Sequence, residues 1–307
     1  MDKKIRVAVI GVGKLGARHA DVYAKMPGVE LVGVCDVIEH RVREVAHHAK
    51  TRAFTDHRDL IGEVDAASIV VPSEHHHAIS RDFLENDVNL LIEKPITTTL
   101  EHADDLLAIA KRNEVLIQVG HIERYNAAIR TIKNIIKTPR FIECDRLGPY
   151  DARVAATGVT LDLMIHDIDI ILDLIKSPIK SVDAVGAYVL SKTEDISNAR
   201  IRFANNSVCN LTASRLTKDV TRKIRIFQDN AYISIDYVTQ EAEIFTRDNG
   251  HIHHKKIDIT KSDSLKEELS DFIDCVRHKR RPLVSGEEGR QALALALQIT
   301  KDIRDQQ

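Results

Sequence analysis

Three clusters in this sequence combine residue types and spacings that could do chemistry. The first is Gly11-Val12-Gly13-Lys14-Leu15-Gly16, with Asp36 lying 20 residues beyond the last glycine. In a G-x-G-x-x-G loop the first glycine permits a tight turn and the second lets backbone approach a pyrophosphate. The third lets the helix pack closely on the strand before it. An acid at the position of Asp36 accepts hydrogen bonds from adenosine ribose hydroxyls. The second cluster is Glu93-Lys94-Pro95, where proline biases Lys94 toward an extended conformation. The third is Asp162 and His166, four residues apart, which a helix presents on one face.

Each cluster has a bland alternative. The loop can be a plain glycine turn, Asp36 a helix cap, and Lys94 a solvated charge at a strand end. Asp162 and His166 can be a satisfied structural pair, and metal binding by them is geometrically allowed, although no third ligand is identifiable. Context favours chemistry for the loop, which follows the apolar run Ile5–Ile10 and opens a helical pattern over 14–26. The Asp36 carboxylate repels a 2′-phosphate, and Val37 and Ile38 bring no cation. NAD is therefore expected over NADP, with Arg41 and Arg43 keeping NADP open.

The elements that must position these residues fall into two patterns. Up to about residue 121, continuous apolar strands alternate with helices: 5–10, 31–35, 66–71 (stopped by Pro72), 89–93 and 115–119. Such strands imply a parallel sheet covered on both faces, with ligands at the carboxyl ends. Beyond it come a helix around 125–137, a strand at 140–146 and an apolar helix from Leu161 to Ile175. On that last helix Asp169 and Asp173 continue the stripe of Asp162 and His166, and a buried polar stripe needs partners. Strands of alternating polarity then run from Ser181 to Phe245, with turn signals at Asn205-Asn206 and Asp248-Asn249-Gly250. Helices over 262–278 and 286–304 close the chain.

The fold class expected is α/β: a doubly wound parallel (Rossmann) sheet over 1–121, then an α+β domain over 122–307 with a large, mostly antiparallel open sheet. The last helix, about 286–304, has the option of packing back on the first domain. The open sheet face suits a helix, a substrate or a second subunit, so a homodimer or homotetramer is expected. His75-His76-His77 and His251-Ile252-His253-His254 invite a metal reading, but the second cluster reads better as a solvated loop.

A formal charge of −2 over 307 residues, without basic blocks, argues against nucleic acid or a membrane surface as partner. No run is long enough to cross a bilayer, and the first strand is too short for a signal-peptide core. Cys35, Cys144, Cys209 and Cys275 show no C-x-x-C spacing, which fits a reducing cytoplasm.

Taken together, the glycine loop, Glu93-Lys94-Pro95, the D-x-x-x-H of Asp162 to His166 and the β-rich second half resemble the glucose–fructose oxidoreductase and inositol dehydrogenase family. The resemblance covers essentially the whole chain. It implies an NAD-dependent dehydrogenase in which Lys94 and His166 are catalytic and Asp162 supports them. Glu93, and Pro72 with His76 as a P-x-x-x-H turn, would lie beside the cofactor. Arg124, in Gly120-His121-Ile122-Glu123-Arg124-Tyr125-Asn126, would be an active-site cation.

Two departures are Met164, where the family commonly has glycine, and His121-Ile122 in place of an aromatic-Asn pair. The segments around Arg124 and His166 look most like the branch that oxidises the 3-hydroxyl of UDP-N-acetylglucosamine. On charge alone, Arg215, Arg222 and Arg225 are candidates for its diphosphate. An inositol, free-aldose or polyol substrate is the alternative within the family. A non-catalytic dinucleotide sensor is the alternative outside enzymology.

Overall fold

A computed structural model describes residues 3–151 and 157–306. The chain forms two compact units, Met1–His121 with Leu265–Arg290 and Ile122–Ser264 with Gln291–Gln307.

The first unit is built on six parallel strands. In chain order its elements are β1 (Ile5–Ile10), α1 (Lys14–Lys25), β2 (Val29–Cys35), α2 (Glu39–Ala49) and β3 (Arg52–Phe54). They continue with β4 (Ala66–Ile69), α3 (His76–Leu84), β5 (Asn89–Glu93), α4 (Leu100–Arg112) and β6 (Ile117–Gly120). The strand order β3-β2-β1-β4-β5-β6 reverses direction at β1, where a doubly wound sheet opens its ligand crevice. Strands β1 and β4 are apolar without alternation because both faces are covered: Val7, Ala8, Val9, Ala66, Ala67 and Ile69 are all inaccessible. Strand β3 has three residues, too few to register as a pattern. It is held because the bare Cα of Gly33 leaves room for the Phe54 ring, whose Cε2 would lie 2.4 Å from an added Cβ.

The second unit begins with α5 (Ala127–Ile132), β7 (Pro139–Leu147) and α6 (Ile165–Leu174). Its sheet continues through β8 (Ile179–Ala187), β9 (Ile196–Phe203), β10 (Val208–Ser214), β11 (Thr221–Gln228), β12 (Ala231–Asp236), β13 (Glu241–Asp248) and β14 (His251–Ile257). The eight strands run β14-β13-β12-β11-β7-β10-β9-β8. Only the β7–β10 pair is parallel among the pairings in this sheet. One face carries Ile142, Ile201, Leu211, Ile224 and Ile233, packed with Ile165, Ile168 and Ile171 of α6.

The other face carries a row of half-exposed rings. Phe141, Phe227, Tyr232, Phe245 and His254 stand on neighbouring strands, with successive centroids 5.7, 4.9, 5.5 and 4.3 Å apart. His254 therefore belongs to an exposed edge strand rather than to the loop expected for His251–His254. Its cross-strand partner Phe245, beyond the turn at Asn249 and Gly250, fixes that register.

The last two helices are α7 (Ser264–His278) and α8 (Gly286–Arg304). The expected division gave 122–307 to the second domain, with the option that the last helix, about 286–304, packs back on the first; it is residues 265–290, α7 and the first turn of α8, that belong with the first unit. Helix α7 buries Leu265, Leu269, Phe272 and Ile273 there. The Gln118 side chain donates to Glu268 O at 3.1 Å, and Arg277 donates to Gly28 O at 3.0 Å. The return of Leu295, Ala296 and Ile299 to the second unit's core divides α8 between the units.

Within the second unit the Arg146 guanidinium grips Asp167 through two hydrogen bonds of 2.9 Å and donates to Glu123 Oε1 at 3.0 Å. All three side chains are almost wholly buried. Replacing Arg146 by methionine strands two carboxylates and should cost about 3–5 kcal/mol of stability. Urea unfolding of the variant checks this, and a loss too small to measure would show that the pair contributes little.

Candidate active site

In the first unit a cleft of about 740 Å³ runs along the carboxyl ends of β1, β2, β4 and β5. Gly11 turns the chain out of β1 at φ +86°. Helix α1 starts at Gly13 with no side-chain cap and no acid in its first turn. Its leading N–H groups and the positive end of its dipole thus face the cleft uncompensated by a capping side chain, an arrangement suited to a phosphate. A Cβ built on Gly13 meets nothing within 4 Å, whereas one on Gly16 would lie 1.8 Å from Gly11 O and one on Gly11 2.5 Å from Val70 O. Gly11 and Gly16 are thus glycines for packing, and Gly13 is glycine for what approaches from the cleft.

The Asp36 carboxylate is 8% exposed and organises the far end. It accepts from Val12 N–H and Ile38 N–H, both at 2.9 Å, and from Arg41 at 3.3 Å. It therefore ties the glycine loop to the β2–α2 turn while lining the cleft with Val37, Ile38 and Arg41. Thr55 and His57, which follow β3, also line it and were invisible in the sequence because β3 was. His75 lines the wall beyond Pro72.

At the other end stand Pro72, Glu93 and Lys94. The Lys94–Pro95 bond is cis. Glu93 Oε1 lies 3.3 Å from His19 Nε2, and Oε2 accepts from Lys94 N–H at 3.3 Å. His76 is 1% exposed, with Nδ1 2.9 Å from Pro95 O and Nε2 2.9 Å from Val71 O. Burial pushes its pKa down, so the neutral ring donates to one carbonyl at a time. His76 thereby joins the turn after Lys94 to the wall at Val71; it props the cleft rather than lining it.

In the second unit Asp162 lies on a single π-helical turn, Thr160–Met164, that leads into α6. The Ile165 N–H reaches back five residues to Thr160 O. The sequence pattern predicted an ordinary α-helix throughout; a π turn leaves no periodicity signal in five residues, and such turns are frequent at functional sites. Asp162 and His166 are half-exposed.

The stripe they begin continues into the interior, where its acids find the partners that a buried polar stripe needs. Asp169 and Asp173 are buried and take Arg124 at 3.2 and 3.1 Å, and Asp173 also takes Lys133 at 2.7 Å and Lys176 at 3.0 Å. Burial works to raise the Asp173 carboxyl, but these cations outweigh it and hold it below the usual carboxylate range.

Two expected substrate cations are thereby placed in the framework. Arg124 is 4% exposed and committed to Asp169 and Asp173. Arg215 is 3% exposed; it donates to Asp195 at 2.7 Å, Thr157 O at 2.8 Å, Ser191 Oγ at 2.6 Å and Thr193 Oγ1 at 2.8 Å. Arg225 pairs with Asp145 at 2.6 Å on the ring-bearing face of the sheet, and Arg222 is exposed. Charge alone could not separate a ligand-facing arginine from one answering a buried acid.

Residues 5–121 match the model of the oxidoreductase family with an NAD-binding Rossmann fold, and residues 132–234 match the GFO/IDH/MocA C-terminal domain. The chain is 36% identical to UDP-N-acetylglucosamine 3-dehydrogenase of Acidithiobacillus ferrooxidans, over 96% of each chain. A solved structure of that enzyme aligns with TM-score 0.94 over 99% of both chains, at 35% identity. Scyllo-inositol 2-dehydrogenase (NAD(+)) of Bacillus subtilis is 25% identical, over 99% of this chain and 96% of its own.

The three loop glycines should sort by role when each is replaced by alanine. Gly13→Ala, at a φ of −62° open to any residue, should change stability by less than about 1 kcal/mol. It should weaken NAD binding roughly tenfold or more, the scale of one lost hydrogen bond to a charged group. Gly16→Ala should instead cost at least about 1–3 kcal/mol of stability through backbone overlap. Calorimetric NAD titration beside thermal unfolding reads both, and equal effects in the two variants would contradict the assignment.

Proposed function

The chain belongs to the Gfo/Idh/MocA family of oxidoreductases, and on that premise we propose that it oxidises the 3-hydroxyl of UDP-N-acetylglucosamine to a ketone with NAD. The reaction class, a nicotinamide-dependent dehydrogenase, is that of the family, which sets aside the sensor reading. The sugar is supported by one observation above the rest: full-length similarity to an enzyme of that activity, well beyond the similarity to inositol dehydrogenases. NAD over NADP is supported by Asp36, whose carboxylate lines the cleft where a 2′-phosphate would have to sit.

Bound in the cleft, the dinucleotide would meet the N-terminus of α1 with its pyrophosphate and Asp36 with its adenosine ribose. Its nicotinamide half would then point toward Pro72, Glu93 and Lys94. The cofactor supplies a hydride acceptor. In the reading proposed, an imidazole nitrogen of His166 takes the proton from the sugar hydroxyl as hydride leaves the same carbon. The Lys94 ammonium stabilises the alkoxide that develops, and Asp162 tunes and orients the histidine. Arg124 and Arg215 act as positioning cations, not diphosphate contacts.

The half-exposed row of rings on the second unit's sheet supports a homodimer or homotetramer. No helix among the described residues is long and apolar enough to cross a membrane, and the four buried thiols suit the cytoplasm.

His166→Ala and Lys94→Ala should each lower turnover by about 10²–10⁴-fold while NAD still binds. The assay is NADH absorbance with NAD and a panel of UDP-linked sugars, inositols and free aldoses. Near-parental turnover in both variants would sink the catalytic assignment, and a preference for an inositol would sink the substrate.

A further inference from the structure

The segment leading into the π-helical turn is braced by a neighbouring loop whose acids have no role in the reaction as described. Glu194 is 3% exposed. Its Oε1 accepts from Thr160 N–H at 3.2 Å, and its backbone carbonyl accepts from Val159 N–H at 3.1 Å. These are leading N–H groups of a helix, which have no partner within it, and an anion there is further favoured by the helix dipole. The carboxylate also lies against Gly158, where an added Cβ would sit 2.1 Å from Oε1 and 2.2 Å from Oε2. Glycine at 158 is what lets Glu194 reach the helix start.

The loop that delivers Glu194 is itself fixed. Asp195 is inaccessible, and its Oδ2 accepts from the N–H groups of Val189, Leu190 and Ser191 at 2.8, 2.6 and 3.0 Å. Its Oδ1 accepts from Arg215 Nε at 2.7 Å, and Arg215 in turn donates to Thr157 O at 2.8 Å. Backbone groups of residues 159 and 160 are therefore held by Glu194, and that of residue 157 by Arg215, itself bound to Asp195, immediately before Asp162.

We infer that Glu194 is a positioning residue for the reaction: capping Val159 and Thr160 across Gly158, it holds the π-helical turn that aims Asp162 and His166. The inference rests on the proposed catalytic role of Asp162 and His166. The physical reason is registry. In an α-helix residues four apart are offset by about 40° around the axis, and a π turn changes that offset. A helix start freed of its cap can relax toward α geometry and rotate Asp162 relative to His166.

The test compares Glu194→Ala, Glu194→Gln, Gly158→Ala and the Gly158→Ala/Glu194→Ala double variant, with His166→Ala as reference. The readouts are kcat and KM on UDP-N-acetylglucosamine and the dissociation constant of NAD. Glu194→Ala and Gly158→Ala should each lower kcat roughly tenfold, the scale of a small misplacement of catalytic groups, with NAD affinity unchanged. Glu194→Gln, whose amide oxygen can still accept from Thr160 N–H, should recover most of that loss.

The double variant should be no worse than the poorer single one, because removing the carboxylate gives the added methyl room. Parental kcat in both single variants, or fully multiplicative losses in the double, would overturn the inference even with His166→Ala inactive. An inactive parent, or an active His166→Ala, would instead remove the reading beneath it. Should Glu194→Ala fail to fold, Gly158→Ala and Glu194→Gln decide.

Discussion

Three carboxylates buried on one apolar helix must each find a cation, and the second unit is arranged around that demand. Asp167, Asp169 and Asp173 of α6 are nearly inaccessible. An unpaired charge in such a place costs several kcal/mol, so the helix can seat only where Arg146 and Arg124 meet it. Arg146 comes from β7, and Arg124 from the short helical segment Ile122–Tyr125. The two arginines fix the helix in rotation as well as in place, because Asp167 and Asp169 point to different neighbours. Rotation also decides which side chains of the preceding turn are accessible. With the buried acids satisfied on one side, the first turn presents Asp162 and His166 where they are half-exposed.

The cofactor cleft is governed by backbone in place of side-chain charge. The element in it suited to a phosphate is the uncapped start of α1, and side chains enter mainly to hold the backbone in shape. Asp36 illustrates the double duty, since one carboxylate ties Val12 N–H to Ile38 N–H and also lines the cleft. His76 does similar work at the other end, between the carbonyls of Val71 and Pro95. Both are ionisable residues, one lining the cleft and one behind its wall, that are largely occupied with architecture. Their presence in motifs reflects the precision with which the backbone must be held.

What was legible in the sequence was what repeats or what only one residue type can do. The parallel sheet could be read from continuous apolar strands, and the loop from its glycines, two of which, Gly11 and Gly16, have no room for a Cβ. The strands of the second sheet could be read from alternation, because one face is buried and one is not. Illegible elements lacked either signal. Strand β3 has three residues, and β14 is exposed along nearly all its length, so neither carries a hydrophobic pattern. The π turn is a local change of hydrogen-bond register with no periodicity of its own. The fate of Arg124 and Arg215 depended on acids distant in sequence, which no local pattern reports.

The structure also changes the weight of one departure from the family pattern. Met164, standing where the family commonly has glycine, lies between Asp162 and His166 in the sequence. It is inaccessible, its sulfur 4.0 Å from Ser197 Oγ, and it belongs to the core of the second unit. A residue two positions from each member of an i, i+4 pair points away from both, so its side chain answers to packing. The substitution is compatible with a helix start that is held from outside, by Glu194 against Gly158, rather than by small residues within the turn. The side chain at 164 therefore adds nothing to the accessible surface beside Asp162 and His166, which is set by other residues.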